Sequence, residues 1–318
     1  MINFIVRRLV QALPVILFTT FLVFMLIHLI PGDPAQTVAG SDATPKEIEA
    51  VRIKMGLDKP LLVQYGIWLG NVSRGDLGES YISRMPVSEL VGDAFPATAQ
   101  LSLAALFLAL LISLPFGIMA ALKQGSKFDF LVTWYTALGL GVPNFWVGIL
   151  FILLFCLVLG LLPPGGRVDP FENPIMGLKS LLLPALTLAI NMSAVLTRFI
   201  RTAMLEALYE DYVRTARAKG LSERAVVVGH AFRAALVPVV TVIGLQTGRL
   251  LGGAVVIESV FAWPGLGRLI VQAVEQRDYT IVQACLLLLV LAFVVINLVT
   301  DTLYAFLDPR IRLSRGRS

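Results

Sequence analysis

Glu210-Asp211-Tyr212-Val213-Arg214-Thr215-Ala216-Arg217-Ala218-Lys219-Gly220 sits within residues 203–237, where a chain otherwise saturated with apolar side chains turns basic and helix-like. Glu210 and Asp211 stand where a first helical turn favours negative charge, and Lys219 where a last turn favours positive charge. Gly220 stands where a left-handed cap is wanted. Glu210 and Arg214 form an i,i+4 pair in the favourable order. Val213, Ala216 and Gly220 make a narrow face of small side chains that something can approach closely. A helix of roughly 10 residues is marginal alone in water, so it is expected to persist by packing against a partner. The run reads as a docking element on a membrane protein.

The rest of the chain supplies the membrane. Of 318 residues, 57% are hydrophobic and only 15% charged, against about 25% charged in ordinary soluble domains; mean hydropathy is +0.82. Five stretches are long and apolar enough to span, Leu9 to Ile30, Ala97 to Leu122, Trp134 to Leu162, Val237 to Ile257 and Ile281 to Phe306. Leu181 to Ile200 makes a sixth, apolar apart from Asn191 and Arg198. Each meets the roughly 20 residues that a hydrocarbon core demands. The first is longer than a signal-peptide core and reads as a retained anchor. The expected fold is an all-α polytopic membrane protein of six transmembrane helices, with an external insertion after the first.

Six spans put both termini on one side, and the basic residues test that parity. Arg7 and Arg8, Lys123 and Lys127, then Arg198, Arg201, Arg214, Arg217, Lys219, Arg224 and Arg233, and finally Arg310, Arg312, Arg315 and Arg317 all fall on one face, which should be cytoplasmic. The opposite short loops hold only Arg167, Lys179, Arg268 and Arg277. Pro143 threatens to split the third span; because splitting would reverse every later loop, one helix kinked at that proline is expected. The chain thus divides into residues 1–30 (tail and first helix), 31–96 (external loop domain), 97–306 (core of transmembrane helices two to six, with the loop 203–237) and 307–318 (basic tail). The external stretch carries a marked helix, with Thr44 as N-cap, Pro45 at N1, Glu47 at N3 and Gly56 past its end. A second helix follows Pro60, broken by Gly70, Gly75 and Gly78. This stretch is either a surface for a soluble partner or a cap over the bundle.

Much chemistry is missing. The net charge of +5 is explained by topology, and the basic residues form no polar face with interleaved aromatics, so nucleic acid is not a partner. Cys156 and Cys285 both lie in apolar spans and read as small hydrophobes. There is no phosphate loop of the G-x-x-x-x-G-K-[ST] type. His28 and His230 lie too far apart in topology to make a metal site or assist a nucleophile. No catalytic, cofactor or metal residue is expected. Within the fifth span, Gly244, Gly248 and Gly252 recur every four residues as a helix-packing face. Gln246 and Arg249 lie around the same helix, and an intramembrane arginine normally faces protein or a watery cavity. By helix rise Arg249 lies about 18 Å from the cytoplasmic end, at the depth of Asn297 and somewhat deeper than Asp301. Gln246, Arg249, Asn297, Asp301 and Asn191 are therefore candidates for the translocation pathway; alternatively Arg249 ties to Asn297 or Asp301 and holds two helices together.

Together these segments resemble a known family. Tyr212-Val213-Arg214-Thr215-Ala216-Arg217-Ala218-Lys219-Gly220-Leu221 with Leu236-Val237-Pro238 is similar to the coupling loop, or EAA loop, of ABC importer permeases in its peptide-permease form. Pro31-Gly32-Asp33-Pro34, Gly56-Leu57-Asp58-Lys59-Pro60 with Gln64-Tyr65, Gly75-Asp76-Leu77-Gly78, Trp263-Pro264-Gly265-Leu266-Gly267-Arg268, Arg277-Asp278-Tyr279 and Leu307-Asp308-Pro309-Arg310-Ile311-Arg312 look like the first membrane subunit of dipeptide and oligopeptide importers. Where the general loop begins Glu-Ala-Ala, this chain has Arg214, Thr215 and Ala216, which narrows the subfamily. The resemblance implies the type I importer permease fold in a bacterial inner membrane with both termini cytoplasmic. It also implies a heterodimer with a homologous permease, two ATPase subunits that use ATP and magnesium, and an external solute-binding protein. Glu210 to Gly220, including Asp211, Tyr212, Thr215, Arg217 and Ala218, would contact the ATPase. Related permeases carry nickel complexes or glutathione. A secondary transporter or channel, or an intramembrane enzyme, would need none of this machinery.

Overall fold

The computed structural model describes residues 2–29, 33–40 and 43–307. The expected basic tail, with Arg310, Arg312, Arg315 and Arg317, and Pro31-Gly32 lie outside the described residues. Among the described residues every regular element is helical, apart from an isolated bridge between Glu79 and Pro86. The chain divides into two units, one of residues up to Ala97 with Pro264–Val294, the other of Thr98–Trp263 with the chain from Val295. Both draw on segments distant in sequence.

In the first unit α1 (Ile2–Leu29) and α4 (Leu61–Ser73) pack through aromatic rings. Tyr65 stands edge-on to Phe21 at 5.3 Å and beside Phe24 at 5.6 Å. Its hydroxyl donates to the Leu17 carbonyl at 3.2 Å. Between them lie α2 (Pro34–Ala39) and α3 (Pro45–Lys54), tied by an Arg52–Asp33 ion pair of 2.5 Å. The start of α3 follows the expectation in detail. Glu47 N–H donates to Thr44 Oγ1, the Thr44 N–H returns to the Glu47 carboxylate at 2.7 Å, and Gly56 closes the far end at φ +69°. Because that carboxylate accepts the Thr44 N–H and hydroxyl, its pKa is held below the ordinary 4.5. Gly70 does not break the second helix; α4 runs through it to Ser73, and the turn comes at Gly75 and Gly78, with φ of +84° and +81°.

The start of α5 (Val87–Leu122), α12 (Leu266–Gln276) and the first half of α13 (Tyr279–Leu307) complete this unit around Val87, Val91, Leu266, Ala273, Ile281 and Cys285. Asp278 caps α13, accepting the Ile281 N–H at 3.4 Å, and it also accepts the Ser80 hydroxyl at 2.6 Å. Burial pushes the neighbouring Tyr81 phenol up, opposed by a hydrogen bond from Thr280 and reinforced by the Asp278 charge. Gln283, inside an apolar helix, donates to the Phe24 carbonyl at 3.2 Å, so its amide finds a partner away from water.

The second unit is built on α8 (Pro174–Tyr209). Two-thirds of its span is buried, 67% against 28% for α5, because α6 (Lys127–Gly141), α7 (Asn144–Phe151) and α11 (Phe232–Val260) all pack on it. The outer face of α5 leaves Leu103, Phe107 and Leu111 exposed at a helical spacing suited to lipid. At the α6–α8 contact Arg201 forks onto Asp129, with bonds of 2.6 and 2.8 Å. Thr98 donates to buried Glu258 at 2.6 Å. A side chain at Gly244 would run into Thr300, so α11 and the end of α13 meet backbone to side chain there. Gly252 has open space, since each four-residue step turns the stripe by about 40°.

The third expected span is not one helix. Pro143 lacks an N–H and drives Val142 to extended backbone (ψ 128°), ending α6; the chain restarts at Asn144 with its axis turned by 103° and continues through a π-helical turn, Ile152–Val158. The described residues yield four helices long and apolar enough to cross a membrane, Val87–Leu122, Pro174–Tyr209, Glu223–Val260 and Tyr279–Leu303, or five with the bent pair. The first expected span corresponds to a shorter apolar stretch, Val10–Leu26, within α1. Helices thus occupy all six expected places, while the count of six crossings rests on charge parity.

Candidate functional site

Two regions of the second unit hold the candidate residues. The first is α9 (Asp211–Ala218), which leaves α8 at an extended Glu210 (ψ 147°) and ends at Lys219, with Gly220 left-handed at φ +78°. The Gly220 N–H returns to the Arg217 carbonyl at 2.9 Å, closing the turn that only glycine enters without strain. Val213 and Ala216 are buried, 0% and 5% exposed, and α9 packs on α8 and on the π-helical turn Val226–Ala231 that leads into α11. The small-residue face expected to receive a partner is therefore occupied by the chain itself. Its seat within the fold is what lets so short a helix persist.

The opposite face is free for contact. Glu210, Asp211, Tyr212, Arg214, Thr215, Arg217, Ala218 and Lys219 are all exposed. Arg214 lies 3.5 Å from Asp211, an i,i+3 contact in place of the expected pairing with Glu210. Arg217 reaches across the turn to Glu223 at 2.8 Å, locking the α9 exit to the short α10 (Glu223–Ala225). Partial desolvation where its ring leans on the fold, with the Glu210 charge adding to it, raises the Tyr212 phenol above its ordinary value.

The second region is the surface of α11 and its neighbours. Gln246 is buried and Arg249 exposed, its guanidinium donating to Gln246 Oε1 at 3.4 Å on the same helix and not to Asn297 or Asp301. Among the described residues the cross-helix tie considered for Arg249 is not formed. Asn191 donates to the Gly139 carbonyl at 2.9 Å, one of the last-turn acceptors that the end of α6 leaves open. It lines a cavity of about 370 Å³ with Pro143, Asn144, Gly253 and Val256. Gly253 and Val256 lie four and seven residues beyond Arg249, on its own face of α11. The structure thus brings Asn191 to the break in the third span and to the Arg249 stripe, while Asn297 and Asp301 are half-buried on α13 and are not among the residues lining that cavity. Sequence reasoning missed the 142–144 segment as a lining element; Pro143 was its signal, read as a kink. No group of three or more metal-ligating side chains occurs among the described residues.

Residues 1–104 match the N-terminal component, and residues 113–313 the main component, of the family described as "Binding-protein-dependent transport system inner membrane component". The chain belongs to that family. The permease is 45% identical over 308 residues to a Brucella abortus protein named as a peptide transport system permease, covering 97% of this chain and 98% of that one. It is 43% identical over 312 residues to a glutathione transport system permease of Escherichia coli (98% and 99% covered). A dipeptide transport system permease of Alkalihalophilus pseudofirmus is 39% identical over 332 residues (98% and 100%). The fold is similar to a subunit of the MetNI methionine ABC transporter in an inward-facing crystal form, with a TM-score of 0.58 at 19% identity, covering 69% of this chain and 96% of that one. The permease is therefore a multi-pass inner-membrane subunit of an ABC importer, with the type I fold and no catalytic role of its own.

Proposed function

We propose that this permease forms one half of the translocation pathway of an ATP-driven importer for dipeptides and oligopeptides, glutathione-type peptides among them, and that α9 is the lever through which a separate ATPase moves it. The observation that carries the reading is α9 itself, anchored by buried Val213 and Ala216 and presenting a charged face outward. An element so held transmits a push without melting. Its relatives' names support the peptide class across nearly the whole chain and do not support a nickel complex.

The assembly this implies contains a homologous second permease, two cytoplasmic ATPases that bind ATP and magnesium, and an external binding protein. Six crossings with both termini cytoplasmic place α9 on the inner side, in agreement with the basic residues around it. ATP binding then draws the ATPases together and α9 carries that motion to α8 and α11, turning the cavity outward. Arg249, Gln246 and Asn191, with the broken third span, line the route; irregular backbone at membrane depth is tolerated where it faces a cavity. The test is reconstitution of the five-subunit-type assembly in proteoliposomes with labelled dipeptide and tripeptide. Uptake that requires both ATP and binding protein is expected. Uptake by the permease without nucleotide, or of nickel complexes in preference to peptides, overturns the proposal.

A further inference from the structure

Beside α9 lies a cavity of about 990 Å³ that the transport reading leaves unused. Its floor is apolar, made by Ile118 and Leu122 from the last turns of α5, Leu205 and Leu208 from the end of α8, and Val228 from the π-helical turn. Leu122 and Val228 are exposed. Its rim is basic. Arg214, Arg217 and Arg224 line it; Arg217 engages Glu223 at 2.8 Å and Arg214 stands 3.5 Å from Asp211, which leaves three guanidinium groups against two carboxylates. Arg224 is exposed and has no ion-pair partner among the described residues.

A hydrocarbon floor continuous with two membrane-spanning helices, under a rim with excess positive charge, fits an anionic amphiphile. A soluble ion would leave the floor bare, and a neutral lipid would leave Arg224 without a counter-charge. Basic pockets between helix ends are the geometry in which anionic headgroups are held. We infer that this groove binds an anionic phospholipid of the bilayer, its phosphate at Arg224 and Arg214 and an acyl chain along Leu122, Leu205 and Val228. The bound lipid braces α9 against α5, so the importer's coupling responds to the anionic content of the membrane. The lipid site depends only on α9 lying at a membrane face, and its effect on coupling rests on α9 being the lever proposed above.

The test uses the transporter assembled with its partner subunits, in nanodiscs of phosphatidylcholine with or without phosphatidylglycerol. Native mass spectrometry should find phosphatidylglycerol retained over phosphatidylcholine. Arg224→Gln should lower that retention about fivefold, the worth of one basic residue near an anionic surface, and Arg224→Lys should restore most of it. Val228→Glu should abolish retention. Free glycerol 3-phosphate should not compete, which separates a lipid from a headgroup-sized anion. Equal retention of the two lipids, or retention unchanged by Arg224→Gln and Val228→Glu, overturns the inference. So does efficient cross-linking of Val228→Cys to an ATPase subunit, since the groove would then belong to that partner.

Discussion

Removing the Arg201 guanidinium would leave the Asp129 carboxylate, 8% exposed, with the Gly125 N–H at 3.0 Å in place of a bidentate partner. Breaking such a pair from one side costs about 3 kcal/mol. Arg201→Ala is therefore expected to lower the thermal midpoint of the detergent-solubilised permease, and Asp129→Leu with Arg201→Met to recover most of the loss. An unchanged midpoint in Arg201→Ala would show the pair to be idle. Arg249 makes a different kind of claim. Exposed on a span and, among the described residues, bonded only within its own helix, it has no packing duty that would explain its cost in a membrane. Arg249→Ala should cut ATP-driven uptake by about tenfold with normal membrane abundance, and near-normal uptake would remove it from the pathway. Arg201 was visible in the sequence only as one of the seven basic residues named from Arg198 to Arg233; that it is committed to Asp129, 72 positions earlier, is a fact of packing.

For α9 the two faces predict separable failures. A leucine at Ala216, 5% exposed against α8 and the π-helical turn, overpacks the seat by about 1–3 kcal/mol and shifts the helix. Gly220→Pro removes the left-handed turn at φ +78°, which proline cannot enter. Both should raise the ATP hydrolysed per peptide imported. Arg214→Ala, on the open face, should instead weaken retention of the ATPase in pull-downs while leaving the permease's own melting unchanged. Full coupling in all three would remove α9 from the docking role. Helix α3 offers a pH test. Because the Glu47 pKa is depressed by folding, its contribution is present above the unfolded value of 4.5 and lost as pH falls through the lower folded value. Hydrogen exchange of the first α3 amides should accelerate across that acid window, and Thr44→Ala should flatten the dependence. Caps of this sort were legible because they are local, set by residues three apart. The π-helical turns and the passage of α4 through Gly70 were not, since packing overrides the small intrinsic cost of a mid-helix glycine.

At the scale of the whole permease, six crossings and an inner-side α9 require that Lys219 resist membrane-impermeant amine labelling in intact cells and react in inverted vesicles; reaction from outside would reverse the topology. The same experiment at Lys46, on α3, should give the opposite pattern. What the residues determined alone was the membrane setting, the sidedness of charge, both ends of α9 and α3 and the family, because each depends on composition or on spacings within a few residues. The motif run across nearly the whole length carried the family. What only the tertiary structure decided was the 103° break at Pro143, the hub position of α8, and the face of α9 that is buried. The physical reason lies in range. Hydropathy states that a segment prefers lipid or protein to water but is silent on which, because the two are equally apolar. A proline states that a helix is weakened, and the neighbours against which the chain restarts decide whether the weakness becomes a kink or a turn of more than a right angle.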